Sequence, residues 1–136
     1  MGVRAVQVNG LDHVNVIAAD LDETIRFYQD VLGLKFGARP SEMNFAGGWL
    51  LDAGGRAIIH LITFDPARHG EQERRSMPTG SIDHVALACA DFAGTVKRCE
   101  DLGVAYRVND RKYGALRQVF ITDPNNVTLE LNFAGE

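Results

Sequence analysis

The chain has 136 residues, 46% hydrophobic and 24% charged, a composition that suits one globular domain whose core needs no disulfide staples. Its 14 basic and 18 acidic residues leave a net charge of -4, and Arg74 and Arg75 sit among Glu71 and Glu73. Nucleic acid and anionic membrane surfaces are excluded as partners, because both need a basic footprint.

No apolar run approaches the ~20 residues of a membrane span. The first ten residues lack the apolar stretch of a signal peptide. A cytoplasmic location is therefore expected. Cys89 and Cys99 both fall in apolar segments and are read as buried free thiols.

In chain order, Val14, Val16 and Ala18 alternate with His13, Asn15 and Ile17, the period of a strand. Asp20 then stands as a helix N-cap, with Glu23 at capping-box spacing. Leu21, Ile25, Tyr28 and Leu32 recur at helical spacing, and Gly33 is a C-terminal stop. Strand-like runs follow at 34–39, 45–51 and 56–63, the last two joined by a turn at Ala53, Gly54 and Gly55. Met43, Phe45 and Trp49 are expected to line either the core or a cavity. Residues 65–80 are polar, with two prolines and two glycines, and read as a surface linker that leaves His69 exposed.

The pattern then repeats. LDHVNVIAADLDETIRFYQDVLGLKF from Leu11 aligns with IDHVALACADFAGTVKRCEDLGVAYR from Ile82 at an offset of 71, pairing Asp12 with Asp83 and His13 with His84. Asp91 caps the second helix, Phe92, Val96 and Cys99 form its apolar stripe, and Gly103 ends it. Strands are expected at 104–108, 116–122 and 127–133, with Asp123, Pro124, Asn125 and Asn126 as a turn. The chain is thus read as a single domain, 1–136, with module one at about 8–64 and module two at about 81–134. Each module is strand, helix and three strands, which makes the fold class α+β.

Four polar residues interrupt apolar strands at equivalent positions. His13 matches His84, and His60 in AIIHLI matches Glu130 in VTLELNF at an offset of 70. Side chains two apart share a strand face, so Asn15 joins His13, while Thr128 and Asn132 join Glu130. A half-buried carboxylate is costly unless a cation or hydrogen bonds compensate it. Imidazoles beside it make a donor set for one divalent metal, with Zn, Ni, Fe, Mn and Co all compatible. His13, His84 and Glu130 are expected ligands; His60 either ligates or bonds the substrate. Asp12 and Asp83 are read as structural. Lys112, Tyr113 and Arg117 either hold an anionic substrate group or form a solvated loop.

These segments, with RQVFITDPNNVTLELNF, resemble the vicinal oxygen chelate superfamily of glyoxalases, bleomycin and fosfomycin resistance proteins, extradiol dioxygenases and epimerases. The resemblance spans Leu11 to Phe133. It implies two βαβββ modules forming a curved, mostly antiparallel eight-stranded sheet around a metal cavity. It implies His13, His60, His84 and Glu130 as the metal site, a small-molecule substrate, and a homodimer whose sites often draw on both chains.

Departures narrow the activity. Ile17 and Phe64 stand where glutathione-dependent glyoxalases hold their substrate, and His60 where they usually carry Glu. Phe120 replaces the tyrosine of ring-cleaving dioxygenases, and no histidine lies between His84 and Glu130. The six residues after Glu130 weaken the fosfomycin option. The leading expectation is a glyoxalase-like lyase or isomerase that stabilises an enolate or oxyanion, with Glu130 moving the proton. Asn15, Trp49, Lys112, Tyr113 and Arg117 are the candidate substrate contacts. An iron-dependent dioxygenase and a non-catalytic antibiotic-binding protein are the alternatives.

Overall fold

A computed structural model describes residues 4–136 except 38, 41, 42, 44, 45, 73 and 76, and describes the backbone but not the side chains of 111–113. The first module comprises β1 (Val14–Ala18), α1 (Leu21–Leu32), β2 (Lys35–Gly37), β3 (Gly47–Leu51) and β4 (Ala57–Thr63). A one-turn helix, α2 (Pro66–His69), interrupts the linker. The second module comprises β5 (Val85–Ala88), α3 (Phe92–Leu102), β6 (Arg107–Tyr113), β7 (Leu116–Thr122) and β8 (Thr128–Ala134).

The eight strands divide into two four-stranded mixed sheets, ordered β1-β4-β3-β2 and β5-β8-β7-β6. In each, the first strand runs parallel to the last and the other pairings are antiparallel. The sequence repeat is thus a repeat of topology. Asn15 lies opposite His60 in the first sheet, and Ala86 lies opposite Glu130 in the second.

The helices begin and end where their caps demand. Asp20 accepts from the Glu23 amide at 3.0 Å, and Gly33 closes α1 in the left-handed region at φ 67°. Asp91 caps α3 by accepting from the Gly94 amide at 3.0 Å. The Glu136 carboxylate adds two bonds, from the Asp91 and Phe92 amides, both at 2.9 Å.

One apolar cluster joins both modules, including Val16, Tyr28, Leu50 and Leu61 with Phe92, Val119, Leu131 and Phe133. The turn after β7 ties them further. Asp123 and Asn125 are buried, and Tyr28 of α1 donates to Asp123 Oδ2 at 2.8 Å. Asn125 donates to Thr24 Oγ1 at 3.0 Å and accepts from the Ala19 amide at 2.9 Å. The turn therefore also serves as the polar seam between modules. Cys89 is half-buried and Cys99 buried, and both are free thiols.

Two local expectations are corrected. The strand expected at 104–108 begins at Arg107 and runs on to Tyr113, because 110–113 pairs with the start of β7 in a hairpin. His69 is not free in solvent: it is half-buried, its Nδ1 accepts from the Asp65 amide at 3.0 Å, and its ring stacks on Phe64.

Candidate metal centre

Strand alternation builds the first half of the site. In β4, Ile59 and Leu61 are buried in the core, so His60 stands on the opposite face. Asn15 and Trp49 are its cross-strand neighbours on β1 and β3. The His60 ring stacks on His13 at 3.6 Å between centroids and on Trp49 at 4.7 Å. His13 immediately precedes β1. Burial, and then the neighbouring His13, hold the His60 pKa below its ordinary value, which favours the neutral ring that ligates metals.

The second half repeats this plan with a carboxylate. Leu129 and Leu131 are buried, and Glu130 faces away from them with Phe120 as its partner on β7. His84 precedes β5, and its Nε2 lies 3.8 Å from Glu130 Oε1. That spacing is too long for a hydrogen bond, yet below the ~4.2 Å spanned by two donors on opposite sides of one cation. The pair thus fits a shared divalent ion.

Asp12 and Asp83, expected to be structural, each contact the ring of the histidine that follows. Asp12 Oδ2 lies 2.5 Å from His13 Nδ1, and Asp83 Oδ2 lies 2.8 Å from His84 Nδ1. Each carboxylate occupies Nδ1 of its ring, so Nε2 would be the atom left for a metal, the usual arrangement of a metal-bound histidine. The His13 contact holds the Asp12 carboxyl below its ordinary range, and the Asp83 bond raises the His84 pKa. An acidic residue just before each histidine was the signal for this role.

Among the described residues, no three His, Cys, Asp or Glu side chains converge on a metal position. A cleft of about 480 Å³ is lined by His13, Arg56 and Ala86, and another of about 450 Å³ by Asn15, Met77 and Val127. Neither is lined by His60, His84 or Glu130.

The expected substrate contacts divide. Asn15 and Trp49 stand beside His60. Arg117 does not stand beside Glu130. It alternates with Gln118 on β7, bonds Asp110 at 2.8 Å and lies 3.7 Å over the Phe92 ring, on the core side of the sheet. The Lys112 and Tyr113 side chains lie outside the described residues, as does Phe45, and Met43 is exposed. On the Glu130 face of the sheet, two strands from Glu130, stands Arg107, which pairs with Phe120 and sits 4.2 Å over its ring. Arg107 carries no local signal for this face, because its place follows from the pairing of β6 with β7.

A two-module fold with metal-type donors at matched positions is the plan of one protein class, and the family comparison agrees. The Glyoxalase/Bleomycin resistance protein/Dioxygenase superfamily matches residues 10–131, and the chain belongs to it.

Glyoxylase I 4 of Arabidopsis thaliana is 28% identical over 128 residues, 93% of this chain and 71% of that protein. A FosX fosfomycin resistance protein mutant from Listeria monocytogenes, solved with Mn(II) and 1S,2S-dihydroxypropylphosphonic acid, is 23% identical with a TM-score of 0.69, covering 94% of both chains. A glyoxylase/bleomycin resistance protein/dioxygenase domain from Frankia sp. EAN1pec is 20% identical with a TM-score of 0.74, covering 94% of this chain and 99% of that one. These structural likenesses are ones of fold.

Proposed function

We propose that this protein is a metal-dependent lyase or isomerase of the glyoxalase type, acting on a small molecule that presents two adjacent oxygens. One divalent ion is held by His13, His60, His84 and Glu130, drawn from two copies of the chain. The observation that carries this reading is the doubled half-site: a histidine pair in one module and a His–Glu pair at the matching positions of the other. The Arabidopsis relative's name supports the glyoxalase reading, and the Listeria structure of like fold was solved with Mn(II).

The bound ion supplies electrophilic polarisation of the substrate oxygens. Glu130, as the ligand that can dissociate, would take and return the proton of the adjacent carbon through Oε1. Trp49 and Phe120 wall the site, Asn15 offers an amide to the substrate, and Arg107 offers a positive charge to an anionic group. This use of Arg107 takes over the part expected of Arg117.

The test is metal analysis of the purified full chain after chelation and reloading. One ion per chain is expected. His13→Ala and Glu130→Ala should each weaken Mn(II) binding by more than the ~10–100-fold that outer-sphere partners contribute. Unchanged metal content in both variants would sink the metal centre. The reaction type is read from deuterium exchange at the carbon next to a substrate carbonyl. Oxygen uptake with a catechol under Fe(II) would instead favour a dioxygenase.

A further inference from the structure

Glu130 Oε2 accepts from Asn132 Nδ2 at 3.1 Å. Asn132 Oδ1 accepts from Gln118 Nε2 at 2.9 Å, and Gln118 Oε1 accepts from Asn109 Nδ2 at 2.8 Å. The three amides sit directly opposite one another on β8, β7 and β6. Every donor in the row points toward the carboxylate. Gln118, the middle member, is 6% exposed, so it is bonded internally rather than offered to a ligand.

The first module is an internal control. The register partners matching Asn132 and Gln118 are Ile62 and Gly47, which bear no polar side chain. The equivalent ligand there is the imidazole of His60. The positions of Asn132 and Gln118 are therefore polar in the module whose ligand is a carboxylate and apolar where the ligand is a ring, while Arg39 stands where Asn109 does at the same offset.

We propose that Asn132, backed by Gln118 and Asn109, is a positioning row that fixes the Glu130 carboxylate so that Oε1 alone is presented to the metal. The proposal rests on the metal reading above. A carboxylate's terminal torsion is broad, so an unrestrained Glu130 can swing or chelate with both oxygens. Engaging Oε2 from behind removes that freedom before metal binds. Aligned amides polarise one another, which strengthens the last bond of the row. Outer partners of this kind contribute ~10–100-fold to metal affinity.

The experiment is a Mn(II) titration of the full chain by electron paramagnetic resonance, with circular dichroism to confirm folding. Asn132→Leu and Gln118→Met should each weaken Mn(II) binding ~10–100-fold. The double variant should be no weaker than Asn132→Leu, because Gln118 acts through Asn132. In a Glu130→Ala background Asn132→Leu should have no further effect. Should Asn132→Leu fail to fold, Asn109→Ala on the edge strand replaces it, with a smaller weakening expected.

The row is overturned if folded row variants keep affinity within about threefold of the parent while Glu130→Ala loses it. Additive losses in the double variant overturn it as well. If Glu130→Ala binds Mn(II) as tightly as the parent, the metal reading itself has failed, and the row falls with it.

Discussion

Tyr28 places its ring in the shared core and its hydroxyl on Asp123, a residue 95 positions away. Burial, and then the charge of Asp123, push the Tyr28 pKa well above its usual 10.0. The unfolded chain therefore gives up this proton at a lower pH than the fold does. Its stabilising contribution is complete below pH 10.0 and is lost as pH rises toward the folded value. Asp123 is raised by burial against the bonds it accepts, so its contribution is fullest below 3.8 and fades as pH rises through its folded value. Tyr28→Phe should cost ~1–3 kcal/mol at neutral pH, read from urea unfolding, since it strips a donor from a buried carboxylate. Its stability should also fall less steeply than the parent's above pH 10.0. An unchanged alkaline slope would show that another group carries the dependence. The sequence marked Tyr28 as a core residue and Asp123 as a turn residue; their bond could not be read, because no local pattern links α1 to the β7–β8 turn.

At the scale of elements, local chemistry decided most boundaries. Asp20 and Gly33 sit where cap preferences put them, and α1 runs between them. Asp20→Ala should cost ~0.5–2 kcal/mol in urea unfolding, with the α1 N-terminus losing its side-chain acceptor. No change would mean that packing alone holds that end. Strand β7 matches its expected span because its ends are set by a hairpin turn and by Asp123. Strand β6 does not, because 107–113 carries too few apolar residues to show its period and takes its form from pairing with β7. Once β6 and β7 are in register, Arg117 belongs to the core face and Gln118 to the Glu130 face. The Glu136 cap on α3 was equally hidden, since it joins residues 44 and 45 apart.

At the scale of the whole molecule, the repeat makes a testable demand. If the donors of one site come from two chains, a His13→Ala, His60→Ala protein mixed with a His84→Ala, Glu130→Ala protein should form heterodimers with one complete site. Such mixtures should recover tight Mn(II) binding at up to one ion per heterodimer, whereas each parent binds weakly. No recovery in a mixture shown to exchange subunits would place the complete site within a single chain.

By itself the sequence determined the two modules, their helices and the matched placing of His13 with His84 and of His60 with Glu130. These depend on periodicity, cap chemistry and offsets along the chain, all of which are written locally. Only the tertiary structure decided that His60 stacks on His13 and His84 lies near Glu130, that Asp12 and Asp83 bond the histidine rings, and that an amide row leads to Glu130. Those arrangements depend on strand register and on which face the core claims. Register and burial are settled when distant segments pack together, so they have no signature within any one segment.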